Sequence, residues 1–300
     1  MKQILNLVLT RLSKNDECVR LFHGRGKKVP GLEHLSIDFF PPHILITTYK
    51  EIGESEKTEL KDLLLSLKIP DLQSIILQKR YIKGESTEAL FGEIPIDHFA
   101  VENSEKYLIN LKNPQNIGFF LDMKVGRDLL RVNSAEKMVL NLFSYTCSLS
   151  VAALKGGAIE VVNVDMSKAA LKVGEKNHLL NGLVKKSKFV PYDIMKSFGN
   201  ITRKGPYDIV IIDPPTYQGD SFKVERDYHK IVKRLADMTN PGAMILACLN
   251  APHLGSDFIK NIFKEHAMGF SYEETFYSSF SELDSNPEEG LKILIYKKNN

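Results

Sequence analysis

The chain has 300 residues, 43% of them hydrophobic, and 40 Lys and Arg against 37 Asp and Glu give a formal charge of +3. That length builds one or two substantial cores and favours a main domain with a smaller companion; a charge so near balance does not by itself predict a polyanionic partner, although a local basic face remains open. Cys18, Cys147 and Cys248 lie far apart with no CxxC pair, which argues against a disulfide framework or a zinc site, so no metal is expected and a reducing cytoplasm fits best.

The apolar run Ile4–Thr10 is interrupted by Asn6 and followed by Arg11 and Lys14 without a small-residue cleavage pattern, so a secretory leader is not expected. No later apolar stretch approaches the roughly 20 residues needed to cross a bilayer, and no membrane partner is expected. Short alternating segments follow, broken by Gly, Pro and acidic turns: Val19–His23, Ser36–Phe40, Ile44–Tyr49, Ser74–Tyr81, Ala89–Ile94 and Tyr107–Leu111. They read as strands. Between them Leu60, Leu63, Leu64 and Leu67 fall at helical spacing, with Ser55 as the N-cap and Pro70 just past the end. Residues 1–112 are therefore expected to form a small antiparallel α+β domain.

From about residue 139 strand, turn and helix alternate, the grammar of right-handed crossovers and a parallel sheet. Expected strands are Met138–Phe143, Glu160–Asp165, Lys188–Tyr192, Asp208–Asp213 and Ala243–Leu249, several of them continuous apolar runs suited to burial on both faces. A helix should start at Ser167 and be capped by Gly182. Another should follow Asp220, with Val224, Tyr228, Ile231, Leu235 and Met238 inward, and end at Pro241-Gly242. Phe270–Ser278 and Leu291–Lys297, joined through Asp284-Ser285-Asn286-Pro287, read as a hairpin. The fold class is thus α/β: residues 113–300 form a Rossmann-like, doubly wound, mostly parallel sheet with an antiparallel C-terminal edge hairpin.

In such a sheet ligands bind beyond the carboxyl ends of the strands. After the first strand, Ser144 to Ser150 is a run of small residues that lets backbone approach a ligand, or is simply a strand-to-helix turn; it lacks G-x-G-x-x-G, which lowers the nicotinamide-dehydrogenase reading. Asp165 ends the second strand 24 positions after Asn141, near the offset at which a carboxylate meets a ribose diol; the plainer reading is a cap for the helix at Ser167. Asp193 closes the third strand and either accepts an adenine amino group or starts a turn. Asp213-Pro214-Pro215-Thr216-Tyr217 is the sharpest signal. Two prolines remove two N–H donors and fix φ, leaving a rigid turn of acceptors that can orient a planar amino group while Tyr217 stacks on the ring; the alternative is a Pro pair that opens a helix.

The run Asn141–Leu183, the Asp-Pro-Pro-Thr-Tyr turn and Gly118-Phe119-Phe120-Leu121-Asp122 together resemble the class I S-adenosylmethionine-dependent methyltransferases, and among them the ribosomal RNA large-subunit enzymes that modify cytosine C5 or guanine N7. The likeness runs from about Val19 to the C-terminus. It implies S-adenosylmethionine as cofactor, ribosomal RNA or a ribosomal particle as partner, a small N-terminal domain that helps hold RNA, Asp165 on the cofactor ribose, Asp193 beside the adenine, and Asp213 to Tyr217 at the reacting end. The cofactor-binding set is then Phe143, Ser144, Tyr145, Thr146, Asp165, Met166, Asp193 and Asp213, with Asp122 and Arg127 either shaping the pocket or pairing with each other. Where the family has Gly after Tyr-Thr this chain has Cys147, and where it has Gln-Arg after the upstream Asp this chain has Met123-Lys124.

Cytosine C5 must be activated by a thiolate. Cys248 stands one residue off the register of the cytosine branch, which aims it at the opposite face of its strand. The turn and the charged Glu225-Arg226-Asp227 look closer to the guanine branch, so a base nitrogen is the expected acceptor, with Tyr217 and Asn250 touching substrate unless Asn250 is merely a turn residue. The alternatives are cytosine C5, a protein or small molecule, or a non-catalytic RNA-binding relative. Lys27-Lys28, Lys79-Arg80-Tyr81 with Lys83, and Lys185-Lys186 with Lys188 are candidate RNA contacts or solvated faces.

Overall fold

The computed structural model describes residues 2–12, 17–84 and 86–300, so Lys14 of the leader reading lies outside it. The chain divides into two compact units, Met1–Leu121 with Glu282–Ser285, and Asp122–Ser281 with Asn286–Asn300. The division falls after Leu121, where the sequence suggested residue 112.

In the smaller unit the elements run α1 (Lys2–Arg11), β1 (Val19–His23), β2 (Leu35–Phe40), β3 (His43–Thr48), α2 (Glu54–Ser66), β4 (Ser74–Lys79), β5 (Thr87–Phe91), β6 (His98–Glu102) and β7 (Glu105–Ile109). Strands β1 to β5 form one sheet in sequence order; β3 and β4 are parallel across the α2 crossover, and the other neighbours are antiparallel. The run considered above only as a leader is the helix α1, which buries Ile4 and Val8 with Leu21, Ile37 and Leu60. Gly53, not Ser55, caps α2: its backbone is extended at φ −75°, ψ 166°, and Glu54 and Glu56 in the first turn face the positive end of the helix dipole. β5 begins and ends earlier than expected because Gly92 turns left-handed at φ 65°. Asn103 and Ser104, at φ 51° and 67°, make a tight turn that pairs β7 with β6, a strand the sequence did not reveal.

The larger unit contains α3 (Lys124–Asn133), β8 (Met138–Leu142), α4 (Ser148–Lys155), β9 (Glu160–Val164), α5 (Lys168–Leu180), β10 (Ser187–Val190), α6 (Phe198–Thr202), β11 (Tyr207–Ile212), the short pair β12 (Tyr217–Gln218) and β13 (Phe222–Lys223), α7 (Val224–Val232), α8 (Leu235–Met238), β14 (Thr239–Leu249), α9 (Ser256–His266), β15 (Phe270–Tyr277) and β16 (Lys292–Lys298). Its sheet has the order β10-β9-β8-β11-β14-β16-β15. The first five are parallel; β16 is antiparallel to both β14 and β15, so the last strand of the chain is inserted inside the edge and is not itself the edge.

Strand alternation splits the core in two. Leu140, Leu142, Val162, Val164, Val210 and Ile212 pack on one face, and Val139, Val161, Ile209 and Ile211 on the other. That is why these strands read as unbroken apolar runs. Ser167 caps α5 through Ala170 N, and Gly182 follows the helix at φ 72°. The helix expected after Asp220 is broken into α7 and α8. Pro241-Gly242 does not end it but lies inside β14, where a register shift in the pairing of β11 with β14 lets the strand carry a residue without an N–H and a Gly at φ 71°.

Between β8, β9, α4 and α5 runs a buried polar chain. Asn141 Nδ2 donates to Asn163 Oδ1 (3.0 Å), Asn163 Nδ2 to Ser150 Oγ (3.1 Å), Ser150 Oγ meets His178 Nε2 (2.8 Å), and His178 Nδ1 meets Gly174 O (2.7 Å). A carbonyl accepts only, so Nδ1 carries the proton and Nε2 accepts from Ser150. Burial pushes His178 down to about 4. The unfolded chain therefore binds this proton first as pH falls, so stability should drop from about pH 6.5 to about pH 4 by up to about 3 kcal/mol, then level off. Denaturant melts across that range should show the loss, and His178→Gln should flatten it; an unchanged slope in the variant would assign the loss to other groups.

Candidate active site

The carboxyl end of β8 turns through Phe143, Tyr145 and Cys147 at φ 57°, 45° and 62°, three left-handed residues none of which is Gly. Such backbone costs of order 1–3 kcal/mol per residue and persists only where its surroundings hold it. Asp165 is one restraint: Oδ2 accepts from Tyr145 N (2.9 Å) and Oδ1 from Ser167 N (2.8 Å). Others are Ser144 N donating to Val164 O (3.1 Å), Cys147 N to Ser144 O (2.7 Å) and Asn177 Nδ2 to Thr146 O (2.9 Å). The helix cap is Ser167 itself, so Asp165 is left as a buried carboxylate at the strand end. Burial pushes its carboxyl up, against the two backbone N–H groups.

Beside this turn lies a cleft lined by Phe143, Met166, Tyr192, Asp193, Ile194, Met195, Gln218, Ser221 and Phe222. Asp193 accepts from Met195 N (3.0 Å) and lies 3.5 Å from Lys196, so it both starts a turn and lines the cleft. The wall thus combines apolar side chains with one carboxylate. Phe222 in this wall was not singled out from the sequence, where it is one apolar residue among polar neighbours.

At the end of β11, burial and then the Asp122 carboxylate push Asp213 up to about 7. Thr216 anchors the turn twice: Oγ1 donates to Asn250 O (2.8 Å), and Thr216 O accepts from Val224 N (3.1 Å). Tyr217 is 59% exposed, opens the β12–β13 pair and has Lys223 Nζ 5.3 Å from its ring centre. Asn250 is exposed. Arg226 and Lys230 clamp Asp227 at 2.7 and 2.8 Å and hold its carboxyl far below the usual range. Arg127 on α3 is fully buried, and Met123 before that helix packs in the core.

Cys248 is a core residue, packed with Val139, Ile211, Leu246 and Ile293. Burial, followed by Asp213, raises its thiol well above the usual value. Cys147 is equally buried, and its thiol too is pushed up. Its left-handed backbone is the geometry that Gly adopts without strain, and its Sγ fills the space over Gly174, where a Cβ would come within 2.5 Å of it. Gly174→Ala should therefore cost about 1–3 kcal/mol from overpacking. In a Cys147→Gly background the same change should be neutral or stabilise by up to about 1 kcal/mol, as Ala is the better helix former. Urea unfolding of the two singles and the double measures this coupling; equal cost in both backgrounds would clear Sγ of blame.

A family model described as S-adenosylmethionine-dependent methyltransferase matches residues 19–297. Ribosomal RNA large subunit methyltransferase I of Aeromonas salmonicida is 27% identical over 267 residues, 86% of this chain and 67% of that protein. Ribosomal RNA large subunit methyltransferase K/L of Shewanella loihica is 35% identical over 227 residues, 71% of this chain but only 32% of that protein, so the match spans about a third of its length. The crystal structure of SMU.776, a methyltransferase complexed with SAH, superposes with a TM-score of 0.86 at 25% identity, covering 99% of this chain and 81% of that one. Among the described residues no three His, Cys, Asp or Glu are grouped to hold a metal ion, and no helix is long and apolar enough to cross a membrane. The chain belongs to the S-adenosylmethionine-dependent methyltransferase family, and S-adenosylmethionine is its cofactor.

Proposed function

We infer that this enzyme methylates a base nitrogen, guanine being favoured, in ribosomal RNA, and so works in the cytoplasm. The observation that carries the reading is the rigid acceptor turn Asp213–Tyr217 in a unit whose Cys248 is buried with its thiol held protonated, which removes the nucleophile that cytosine C5 chemistry requires. The names of the curated relatives supply the RNA class.

S-adenosylmethionine supplies a methyl group on a sulfonium. The chain's own part is to hold and align. Asp165 would take the ribose hydroxyls with the lone pairs its two backbone donors leave free. Phe143, Met166 and Phe222 would flank the adenine, with Asp193 beside its amino group. The turned backbone of Ser144, Tyr145 and Thr146 would lie along the cofactor, and Asp122 and Arg127 would shape the pocket at its methionine end. Asp213 and the Pro214 carbonyl accept hydrogen bonds from the amino edge of the base, Pro215 stiffens the turn, Tyr217 stacks on the ring and Asn250 touches the purine edge. Alignment of this kind is most of what an in-line methyl transfer needs.

The smaller unit carries a second feature that suits RNA. Arg25 and Arg80, from separate basic clusters, approach one exposed ring, Tyr49, with their guanidinium carbons 4.5 and 6.0 Å from its centre. Lys50, Tyr81 and Lys83 beside them are exposed. Cations interleaved with open aromatic rings fit an unpaired strand, whose bases stack while its phosphates are neutralised.

Methyl-labelled S-adenosylmethionine should deliver label to unmodified ribosomal RNA, naked or in particles, and nucleoside mass spectrometry should find it on guanosine. Label on cytidine overturns the nitrogen reading, and label confined to protein or small molecules overturns RNA. Changing Arg25 and Arg80 to Ser should weaken RNA binding and lower its salt slope by about two. If Asp213 acts as a carboxylate acceptor, its protonation at about pH 7 removes activity, so kcat should rise with pH through about 7. Asp122→Asn, which takes away a neighbouring negative charge, should move that limb to lower pH; an unmoved midpoint assigns the limb to another group.

A further inference from the structure

Lys292 opens β16, paired with Leu249 at the end of β14 on one side and Tyr277 at the end of β15 on the other. Its side chain is fully buried, a costly place for an ammonium. Its Nζ donates to three backbone carbonyls: Glu288 O (2.6 Å), Leu254 O (2.8 Å) and Ala251 O (3.3 Å). An ammonium has three protons to give, so these bonds use all of them. The Glu288 carboxylate is engaged elsewhere, by Ser256 N (2.6 Å), Ser256 Oγ (2.9 Å) and the Tyr277 hydroxyl (2.6 Å). An apolar residue here would leave these three inward-turned carbonyls without this donor, so the ammonium is what lets the chain around it take this shape.

The loop it holds joins β14 to α9. Lys292 ties the middle at Ala251 and Leu254, and Glu288 ties the far end at Ser256, the first residue of α9. The near end, Asn250, gives its carbonyl to Thr216 Oγ1. We propose that Lys292 is a positioning residue for the methyl-acceptor side of the site: its ammonium fixes the loop Asn250–Gly255, and the loop, through Asn250, fixes Thr216 and the Asp213–Tyr217 turn. The inference rests on reading that turn as the surface that presents the base. Of the groups assigned to the ribose and adenine, Phe143, Asp165, Met166 and Asp193 follow other strands, β8, β9 and β10, and Phe222 alone belongs to β13 beside the turn, so the two halves of the site should respond differently when the tether is cut.

Lys292→Met keeps much of the stem and removes the donors; Lys292→Arg and Thr216→Val accompany it, all in the full chain. In K292M amide hydrogen exchange should quicken across residues 250–256 and 216–218 and stay at the wild-type rate across 143–147 and 165–167. kcat on ribosomal RNA should fall about 10- to 100-fold, while the calorimetric Kd for S-adenosylhomocysteine stays within about twofold. T216V should show the same split, K292R should recover part of the loss, and the K292M/T216V double should be no worse than the worse single, because both cut one tether. An unchanged kcat overturns the proposal. So does a parallel loss of kcat and cofactor affinity, which marks a residue of general stability. Should K292M not fold, T216V decides alone: normal kcat overturns, lowered kcat with unchanged Kd supports. If the wild type transfers no methyl to RNA while exchange behaves as expected, the RNA reading and the acceptor role fall together and only the tether remains.

Discussion

Asp165 sits where two strands deliver their ends, and its two oxygens each take one backbone N–H, from the turn after β8 and from the start of the segment that leads into α5. The turn after β8 would not hold its three left-handed residues without restraints of this kind. With the turn held, Phe143 keeps its place in the wall of the cleft beside β8. The same carboxylate keeps spare lone pairs. One side chain thereby orders the backbone on both sides of the strand end, while Ser167, not Asp165, caps the following helix; in the function proposed above, the spare lone pairs are what a diol would use.

The acceptor side is built differently. Its turn is stiff because two prolines lack N–H groups and have fixed φ, but a stiff turn still needs an anchor, and Thr216 supplies it through both its hydroxyl and its carbonyl. Beneath it the sheet is buried on both faces, which confines polar chemistry to the strand ends. Cys248 illustrates this limit: set within the strand on the packed face, it behaves as a small apolar residue.

The sheet was largely readable because continuous apolar strands and their capping residues, Ser167 and Gly182 among them, are local signals. The acids at the strand ends and the Asp-Pro-Pro turn were readable for the same reason. What escaped depended on distant partners. Helix α3 places Arg127 on its buried face, which breaks the apolar stripe that would announce a helix. Strand β6 buries Glu102, so its alternation is blurred. Pro241-Gly242 carries a strong stop signal that a register shift in the sheet overrides. Lys292 is one cation before an apolar strand; nothing nearby in sequence shows that three carbonyls, two of them some forty residues back, will surround it.

The insertion of β16 between β14 and β15 also bears on how the chain reaches this state. Strands β8 to β11 and β14 can pair in the order in which they are made, each crossover closing a modest loop. β15 has no neighbour until Lys292–Lys298 exists, since its one partner comes later in the chain. Until then β14 presents an open, apolar margin, the kind of unpaired edge that recruits other chains. The residues that finish the sheet therefore also seal it, and during synthesis the interval between β14 and β16 is one in which that margin stays uncovered.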